Sequence, residues 1–180
     1  MARHVILING LGNRSFLYRL VAFLWRLSGV DMHFFRFNWE DTQESFESKM
    51  QRLTLLSEQF DDVAVIGVSA GGTAALNLLA RHPTISKVVT ISSPYYLNGP
   101  VQSKLLTQSD AQLQANLANF TTATKQKILS LHGRQDITVE PRQSQADGIA
   151  HRRLKSSSHA MTIAYALTFG SGILRRFLRT

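Results

Sequence analysis

The chain has 180 residues, of which 44% are hydrophobic and 18% are charged. This length and composition predict a single globular domain over residues 1–180 and exclude a disordered chain. No cysteine is present, which excludes a disulfide framework, a thiolate metal site and a cysteine nucleophile. The formal net charge of +8 permits contact with anionic partners.

Apolar runs and helical patterns alternate along the chain. Short apolar runs predict six strands, at residues 5–9, 32–37, 63–68, 87–91, 127–131 and 149–154. Helical spacing, caps and breakers predict helices at residues 15–28, 42–59, 72–81, 141–147 and 160–178. Strands that alternate with helices indicate an α/β fold, in the form of a three-layer α/β/α sandwich around a mostly parallel six-stranded sheet.

The first predicted helix has a clear amphipathic spacing. Large apolar side chains recur on one of its faces, and we expect this face to pack against the sheet. The residues of this face are Phe16, Leu20, Phe23, Leu24 and Leu27.

The connection at residues 92–125 is long and polar, with a weak helical pattern near residues 103–117. Two interpretations stay open for it. It is either a lid or binding loop over a site, or a crossover helix between two strands.

The sequence Gly67-Val68-Ser69-Ala70-Gly71 begins in the third predicted strand and leads into a helix. This is a G-x-S-x-G pattern in the strand–turn–helix context that the pattern requires. Such a turn holds the serine in a strained backbone conformation and leaves its Oγ exposed, because the flanking glycines remove side chains that would collide. Ser69 is therefore the candidate nucleophile.

A serine nucleophile needs a base to accept its proton, and the base needs an acid to orient it. Among the six histidines, only His159 combines a loop position, the carboxyl end of the predicted sheet and a late place in the chain; His151 is its main rival. Asp136 follows the fifth predicted strand and is the candidate acid, with Glu140 and Asp147 as weaker alternatives.

Two backbone N–H groups are expected to stabilise the developing oxyanion. Ala70 follows the nucleophile at the start of a helix, so its N–H points outward with the helix dipole behind it. The second donor is expected from the loop after the first strand, where Gly10 and Gly12 allow a close approach and the N–H of Leu11 is the candidate. A phosphate-binding loop is disfavoured, because neither G-x-G-x-x-G nor G-K-[ST] occurs there.

Three side chains near the expected site are candidates for substrate contacts. Tyr95 follows the fourth predicted strand and Trp39 follows the second, so both are candidates to line an apolar pocket beyond the carboxyl ends of the strands. Asn13 lies beside the oxyanion loop and is a candidate for binding a polar group of the substrate.

These residues together resemble the α/β-hydrolase superfamily. The chain order Ser69, Asp136, His159 is the order of the catalytic residues in that superfamily. The segment INGLG is similar to its His-Gly-x-Gly loop, with Asn9 in place of the histidine, and the resemblance also implies Leu11 as an oxyanion donor. The segment LHGRQDITV is similar to the segment that carries its acid. The resemblance implies a minimal α/β-hydrolase fold without a large cap domain.

The resulting hypothesis is a serine hydrolase that cleaves carboxylic esters or thioesters of a small-molecule acyl substrate, with no cofactor and no metal. Two alternatives stay open: a non-catalytic binding module on the same fold, and a lipid esterase whose basic tail docks on anionic membranes. The basic clusters near Arg152 and Arg175 lie in no nucleic-acid-binding motif, so no nucleic acid partner is expected. No segment resembles a signal peptide, and we expect a cytoplasmic protein that is a monomer or a homodimer.

Overall fold

The computed structural model describes residues 4–12, 15–41, 43–82, 84–99, 101–155, 158–168 and 171–179. Six strands in these residues form one sheet: β1 (His4–Ile8), β2 (Asp31–Phe35), β3 (Val63–Val68), β4 (Lys87–Ile91), β5 (Ile128–Gly133) and β6 (Ala150–Leu154). Their spatial order is β2-β1-β3-β4-β5-β6, and every neighbouring pair is parallel. The six-stranded parallel sheet that the alternation of elements predicts is confirmed.

Helices cover both faces of this sheet. They are α1 (Ser15–Leu27), α2 (Phe46–Ser57), α3 (Ala70–Arg81), α4 (Lys104–Asn119), α5 (Thr122–Gln126), α6 (His159–Leu167) and α7 (Ser171–Arg179). Successive strand residues point to opposite faces. Val5 and Leu7 therefore join the apolar cluster beneath α1, α6 and α7, whereas Ile6 and Ile8 join the cluster beneath α2, α3 and α4. The three-layer α/β/α sandwich is confirmed.

The prediction for the buried face of α1 is wrong. All of its predicted core residues are exposed: Phe16, Leu20, Phe23, Leu24 and Leu27. The helix instead buries Ala22 and Trp25 against the sheet. Because apolar residues occur on both sides of α1, helical spacing alone does not identify the buried side. The small Ala22 permits a close approach to the strands, and the indole N–H of Trp25 donates to the carbonyl of Leu167 at 2.9 Å.

The helix predicted at residues 160–178 is divided into α6 and α7. Helix α6 ends at Leu167, whose carbonyl oxygen accepts the indole hydrogen bond of Trp25. The next residue, Thr168, leaves the helical conformation with φ −113° and ψ −87°. In the described part of the chain, no helix has both the length and the apolar character needed to cross a membrane.

Two other predicted helices also have different bounds. The helix predicted at 141–147 is only a 3₁₀ turn, Pro141–Ser144. The predicted start at Thr42 lies outside the described residues; α2 begins at Phe46, and the side chain of Ser45 caps it by accepting a hydrogen bond from the Ser48 N–H.

The long connection at residues 92–125 contains α4, which packs on α3. Polar side chains join the two helices inside this contact: Ser109 Oγ lies 2.6 Å from Thr73 Oγ1, and the Asn77 amide donates to the Ser109 carbonyl at 2.9 Å. All three residues are buried, so this helix pair is fixed by hydrogen bonds as well as by apolar contacts.

Candidate active site

Ser69 lies in a sharp turn between β3 and α3. Its backbone has φ 51° and ψ −125°, a conformation that residues with a Cβ adopt only under constraint. Both glycines of the pattern are needed, because a Cβ on Gly67 would lie 2.4 Å from the Gly71 carbonyl oxygen, and one on Gly71 would lie 2.5 Å from the Ile8 carbonyl oxygen. The turn therefore has the geometry that a nucleophile elbow requires.

The Ser69 hydroxyl lies beside the loop that follows β1. A Cβ built on Gly10 would be 3.3 Å from Ser69 Oγ, so the loop backbone passes directly against the hydroxyl. None of the described residues forms a hydrogen bond with Ser69 Oγ.

Asp136 and His159 are in contact. Asp136 follows β5, His159 begins α6, and His159 Nδ1 lies 2.9 Å from Asp136 Oδ2. The other carboxylate oxygen, Oδ1, accepts the backbone N–H groups of Thr138 and Val139, both at 3.0 Å. The carboxylate is thus fixed in orientation by three hydrogen bonds, and Oδ2, which faces the His159 imidazole, also lies 3.6 Å from His132 Nε2.

The pKa of Asp136 favours an ionised carboxylate. Burial alone would raise the pKa of this carboxyl, but the hydrogen bonds from the Val139 N–H and from His159 outweigh burial and hold the pKa below its usual value. An ionised Asp136 keeps a proton on His159 Nδ1 and leaves the lone pair on Nε2. Through Nε2, the imidazole can act as a general base.

Backbone hydrogen bonds connect the serine turn to this pair across the strand ends. The N–H of Ser69 donates to the carbonyl of Ile91 at 2.8 Å, and the N–H of Ser92 donates to the carbonyl of Leu131 at 2.9 Å. Because β3, β4 and β5 are parallel neighbours, the residues that follow them lie at one edge of the sheet. The fold therefore brings Ser69, Asp136 and His159 to the same edge.

Ser92 is a residue of this edge that sequence reasoning missed. It follows β4 directly, is fully buried and has a positive φ of 48°. Its hydroxyl is a further group that lowers the pKa of Asp136. No glycine or recognised motif marks this position, so the sequence carries no signal for it.

The structure does not support the rival base and acids. His151 lies within β6, where its Nδ1 is 3.2 Å from Ser130 Oγ. Glu140 precedes the 3₁₀ turn and pairs with the Arg142 side chain. Asp147 is exposed and has no ion pair among the described residues. His159 and Asp136 remain the candidate base and acid.

A buried imidazole, His132, and a half-buried one, His151, predict that acid destabilises the fold. Burial is the main cause that lowers the pKa of His132 and of His151, and Arg153 adds to both effects, although Asp136 opposes it at His132. The folded pKa values lie below the unfolded value of about 6.5, so the unfolded chain binds protons that the native state does not. We expect the free energy of unfolding to be unaffected by these groups above about pH 6.5 and to fall below it, by at most about 1.4 kcal/mol per pH unit for each imidazole.

Urea unfolding at a series of pH values between neutral and mildly acidic tests this prediction. A His151→Asn variant removes one of the two imidazoles and should show a shallower decline than the parent. An unfolding free energy that stays constant over this range in the parent would contradict the prediction.

The candidate oxyanion donors belong to the two segments that adjoin Ser69, the first turn of α3 and the loop after β1. Ala70 is the first residue of α3, so its N–H has no partner within the helix and lies at the positive end of the helix dipole. Leu11 follows Gly10, whose backbone is the part of the loop that contacts Ser69. The roles of the Ala70 and Leu11 N–H groups stay predictions.

Asn9 fixes the loop that contains Leu11. Its amide donates to the Phe37 carbonyl at 3.0 Å, and its Oδ1 accepts the Phe37 N–H at 2.7 Å. The indole N–H of Trp39 donates to the Asn9 carbonyl at 3.0 Å. Asn9 thus ties the end of β1 to the segment after β2, a positioning role that its place beside the glycines does not reveal from the sequence.

A cleft of about 980 Å³ opens beside this loop. Leu11, Trp39, Val101 and Leu105 contribute apolar surface to it, and acidic residues including Glu40 lie at its rim. Trp39 borders this cleft, but the residue is buried and stacks on Phe37 with ring centroids 4.1 Å apart, so its contact with a substrate stays a prediction.

Asn13, the candidate for binding a polar group of the substrate, lies outside the described residues. The prediction that Tyr95 lines an apolar pocket is wrong. Tyr95 is fully buried, and its hydroxyl lies 2.9 Å from Thr90 Oγ1. Burial raises its pKa to about 12. Tyr95 is therefore a core residue rather than part of a pocket wall, because its side chain turns back under the sheet edge.

One cluster among the described residues has three donor atoms close enough to hold a metal ion. His4 Nδ1 and His33 Nε2 lie 3.0 and 2.9 Å from Asp31 Oδ2, near the starts of β1 and β2 and so at the edge opposite to Ser69. The Arg26 guanidinium contacts both Asp31 and His33, each at 3.4 Å. Because this cation already faces the carboxylate, we assign the cluster to an ion-pair network.

Solved structures of other proteins share this arrangement of elements. A pyrethroid hydrolase from Sphingobium faniae has a TM-score of 0.72 and 14% sequence identity, over 100% of this chain and 98% of that one. The ydeN gene product of B. subtilis has a TM-score of 0.69 and 14% identity, over 99% and 100%. The esterase domain of a Rhodothermus marinus protein has a TM-score of 0.63 and 14% identity, over 98% and 88%.

These likenesses establish the fold. The chain has the α/β-hydrolase fold that its motifs resemble. No protein-family model matches the sequence, and a search of curated proteins gives no match either.

Proposed function

We propose that this protein is a serine hydrolase that cleaves carboxylic esters or thioesters of small molecules. The observation that carries the proposal is the contact between His159 Nδ1 and Asp136 Oδ2 at 2.9 Å, at the same sheet edge as the strained turn of Ser69. A buried, ionised acid that orients an imidazole, at the sheet edge that also carries a serine in a strained strand-to-helix turn, supports nucleophilic acyl transfer as the chemistry of the site.

The proposed reaction begins with attack of Ser69 Oγ on the acyl carbon. His159 Nε2 accepts the hydroxyl proton, and the electron pair of the carbonyl π bond moves to the carbonyl oxygen. The N–H groups of Ala70 and Leu11 stabilise this oxyanion. When the tetrahedral intermediate collapses, the bond to the alcohol or thiol breaks, and His159 returns the proton to that leaving group.

An acyl-enzyme on Ser69 remains after the first half of the reaction. Water attacks its carbonyl carbon while His159 accepts a proton from the water, and a second oxyanion forms in the same place. When this intermediate collapses, the bond to Ser69 Oγ breaks, His159 returns the proton to Ser69 Oγ, and the carboxylic acid is released. Asp136 holds the imidazole in the required tautomer and stabilises its protonated form throughout.

The cleft beside Leu11 supports a substrate of small-molecule size. Its volume falls in the range that accommodates drug-sized ligands, and its lining combines apolar side chains such as Leu11 with polar and charged ones such as Glu40. The names of two neighbours in fold, an esterase and a pyrethroid hydrolase, agree with hydrolysis as the reaction class.

Covalent labelling and a substrate panel test this proposal together. A fluorophosphonate probe is expected to label the chain once, and peptide mapping should assign the label to Ser69. Nitrophenyl esters from acetate to palmitate should be hydrolysed, with a chain-length preference that reports the acyl pocket. A chain that takes no label, or that carries it on another serine, contradicts the proposal and favours a non-catalytic binding module.

A further inference from the structure

One face of α1 presents a row of large apolar side chains to solvent. We call this row the α1 stripe; its residues are Phe16, Leu17, Leu20, Phe23, Leu24 and Leu27, and Phe16 and Leu27 are 74% and 71% exposed. The stripe lies on the side of α1 opposite to the buried Ala22 and Trp25. It extends over the whole helix, about 20 Å at 1.5 Å per residue. Contiguous apolar surface of this kind is uncommon on soluble proteins unless it meets a partner.

The layer that carries the α1 stripe is cationic. Helices α1, α6 and α7 contain no aspartate or glutamate, and they contain these arginines: Arg19, Arg26, Arg175, Arg176 and Arg179. The acidic residues of the chain are concentrated around α2 in the opposite layer, at Glu40, Asp41, Glu44, Glu47, Glu58, Asp61 and Asp62. The helices of the layer that carries the α1 stripe therefore contain only basic formal charges. The opposite layer holds charges of both signs, with Glu44 paired to Lys49 and Arg52, and Glu47 paired to Arg81.

The α1 stripe also adjoins the candidate active site. Helix α1 begins shortly after the loop of Gly10 and Leu11, and Leu11 is itself half exposed. Two further apolar side chains are exposed next to the catalytic pair, Ile137 beside Asp136 and Met161 in the first turn of α6. Exposed apolar side chains therefore occur both on the stripe and at the edge where the substrate is expected to enter.

We propose that the α1 stripe docks on the surface of an anionic lipid bilayer. Its apolar side chains enter the boundary between headgroups and acyl chains, and exposed arginines of the same layer, such as Arg176 and Arg179, reach anionic headgroups with their long side chains. This orientation sets the active-site edge close to the lipid surface. The docking itself does not depend on the proposed reaction.

Charge favours a bilayer over a second copy of the chain as the occupant. A two-fold dimer through the α1 stripe would place the arginines of both copies close together, with no acidic residue of α1, α6 or α7 between them. An anionic surface neutralises the same arginines.

Sedimentation with vesicles tests the proposal. The vesicles are phosphatidylcholine with about one third phosphatidylserine, and the protein carries Ser69→Ala so that binding is read without hydrolysis. A combined Phe16→Ser, Phe23→Ser, Leu27→Ser variant should lower the partition coefficient by at least about 30-fold, because large apolar side chains no longer enter the bilayer. Arg176→Gln with Arg179→Gln should lower it by about 10-fold or more.

A matched control comes from the opposite layer. Leu55 is an exposed apolar residue of α2, and Leu55→Ser should leave vesicle binding unchanged. Every replaced side chain is exposed, so circular dichroism and thermal unfolding should match the parent.

Three results would overturn the docking proposal. In the first, the chain without stripe substitutions fails to bind the anionic vesicles. In the second, the stripe variant binds them equally well. In the third, sedimentation velocity shows a dimer that the stripe variant does not form, which assigns the stripe to contact with a second copy. If the vesicles are bound but the chain with the native Ser69 hydrolyses no ester, the result contradicts only the proposed function and not the docking proposal.

Discussion

Replacement of Ser69 by alanine is expected to lower kcat/KM for nitrophenyl ester hydrolysis by at least about 10⁴-fold and to abolish fluorophosphonate labelling. The physical reason is that the variant has no oxygen to attack the acyl carbon, so the acyl-enzyme cannot form. The residual rate should come from the oxyanion donors and from substrate binding alone. Initial rates at saturating and at low substrate measure the effect on kcat and on KM separately.

The fold of this variant should be intact. Alanine also carries a Cβ, so the strained backbone of the turn is no worse than in the parent, and no hydrogen bond of Ser69 Oγ within the described residues is lost. Ser86→Ala is a matched control at the opposite edge of the sheet, where Ser86 donates to the Val63 carbonyl, and it should keep full activity. If Ser69→Ala hydrolyses the panel like the parent, Ser69 is not the nucleophile.

Replacement of Asp136 by asparagine is expected to lower kcat by about 10⁴-fold with little change in KM. The N–H groups of Thr138 and Val139 hold Oδ1, so the amide oxygen of asparagine should take that place and the NH₂ group should face His159. A donor facing Nδ1 forces the proton onto Nε2, and the imidazole can then no longer accept the Ser69 proton.

A matched pair of measurements separates this effect from misfolding. Asp147→Asn changes an exposed carboxyl to an amide away from the catalytic pair and should retain parental kcat. Nitrogen-15 chemical shifts of the His159 ring should report protonation at Nδ1 in the parent and at Nε2 in Asp136→Asn. Parental kcat in Asp136→Asn would rule out Asp136 as the orienting acid.

Much of the fold could be predicted because its signals are local. A strand such as β3 is buried on both faces and is therefore apolar throughout, and a parallel sheet follows from the alternation of strands with helices. The buried side of α1 could not be predicted, because the choice depends on a hydrogen bond from Trp25 to Leu167, which is 142 positions away in the chain. The same contact explains why the last predicted helix is divided.

The site was predictable where backbone geometry imposes residue types. The turn of Ser69 requires glycines on both sides, and these leave a readable pattern. The supporting residues Asn9 and Ser92 leave no such pattern, because their roles arise only when separate loops meet. Tyr95 was misassigned for the same reason: its position after a strand is readable, but the direction of its side chain is not.

The division of the helical layers bears on how the chain acquires its structure during synthesis. One face of the sheet, which includes Val89, Ile91, Leu129 and Leu131, is covered by α1 from the start of the chain and by α6 and α7 from residues 159–179. A nascent chain that ends before residue 159 can pair all six strands but leaves that apolar face partly open. Because α6 and α7 follow all six strands in the chain, that apolar face is completely covered only after both helices have been synthesised.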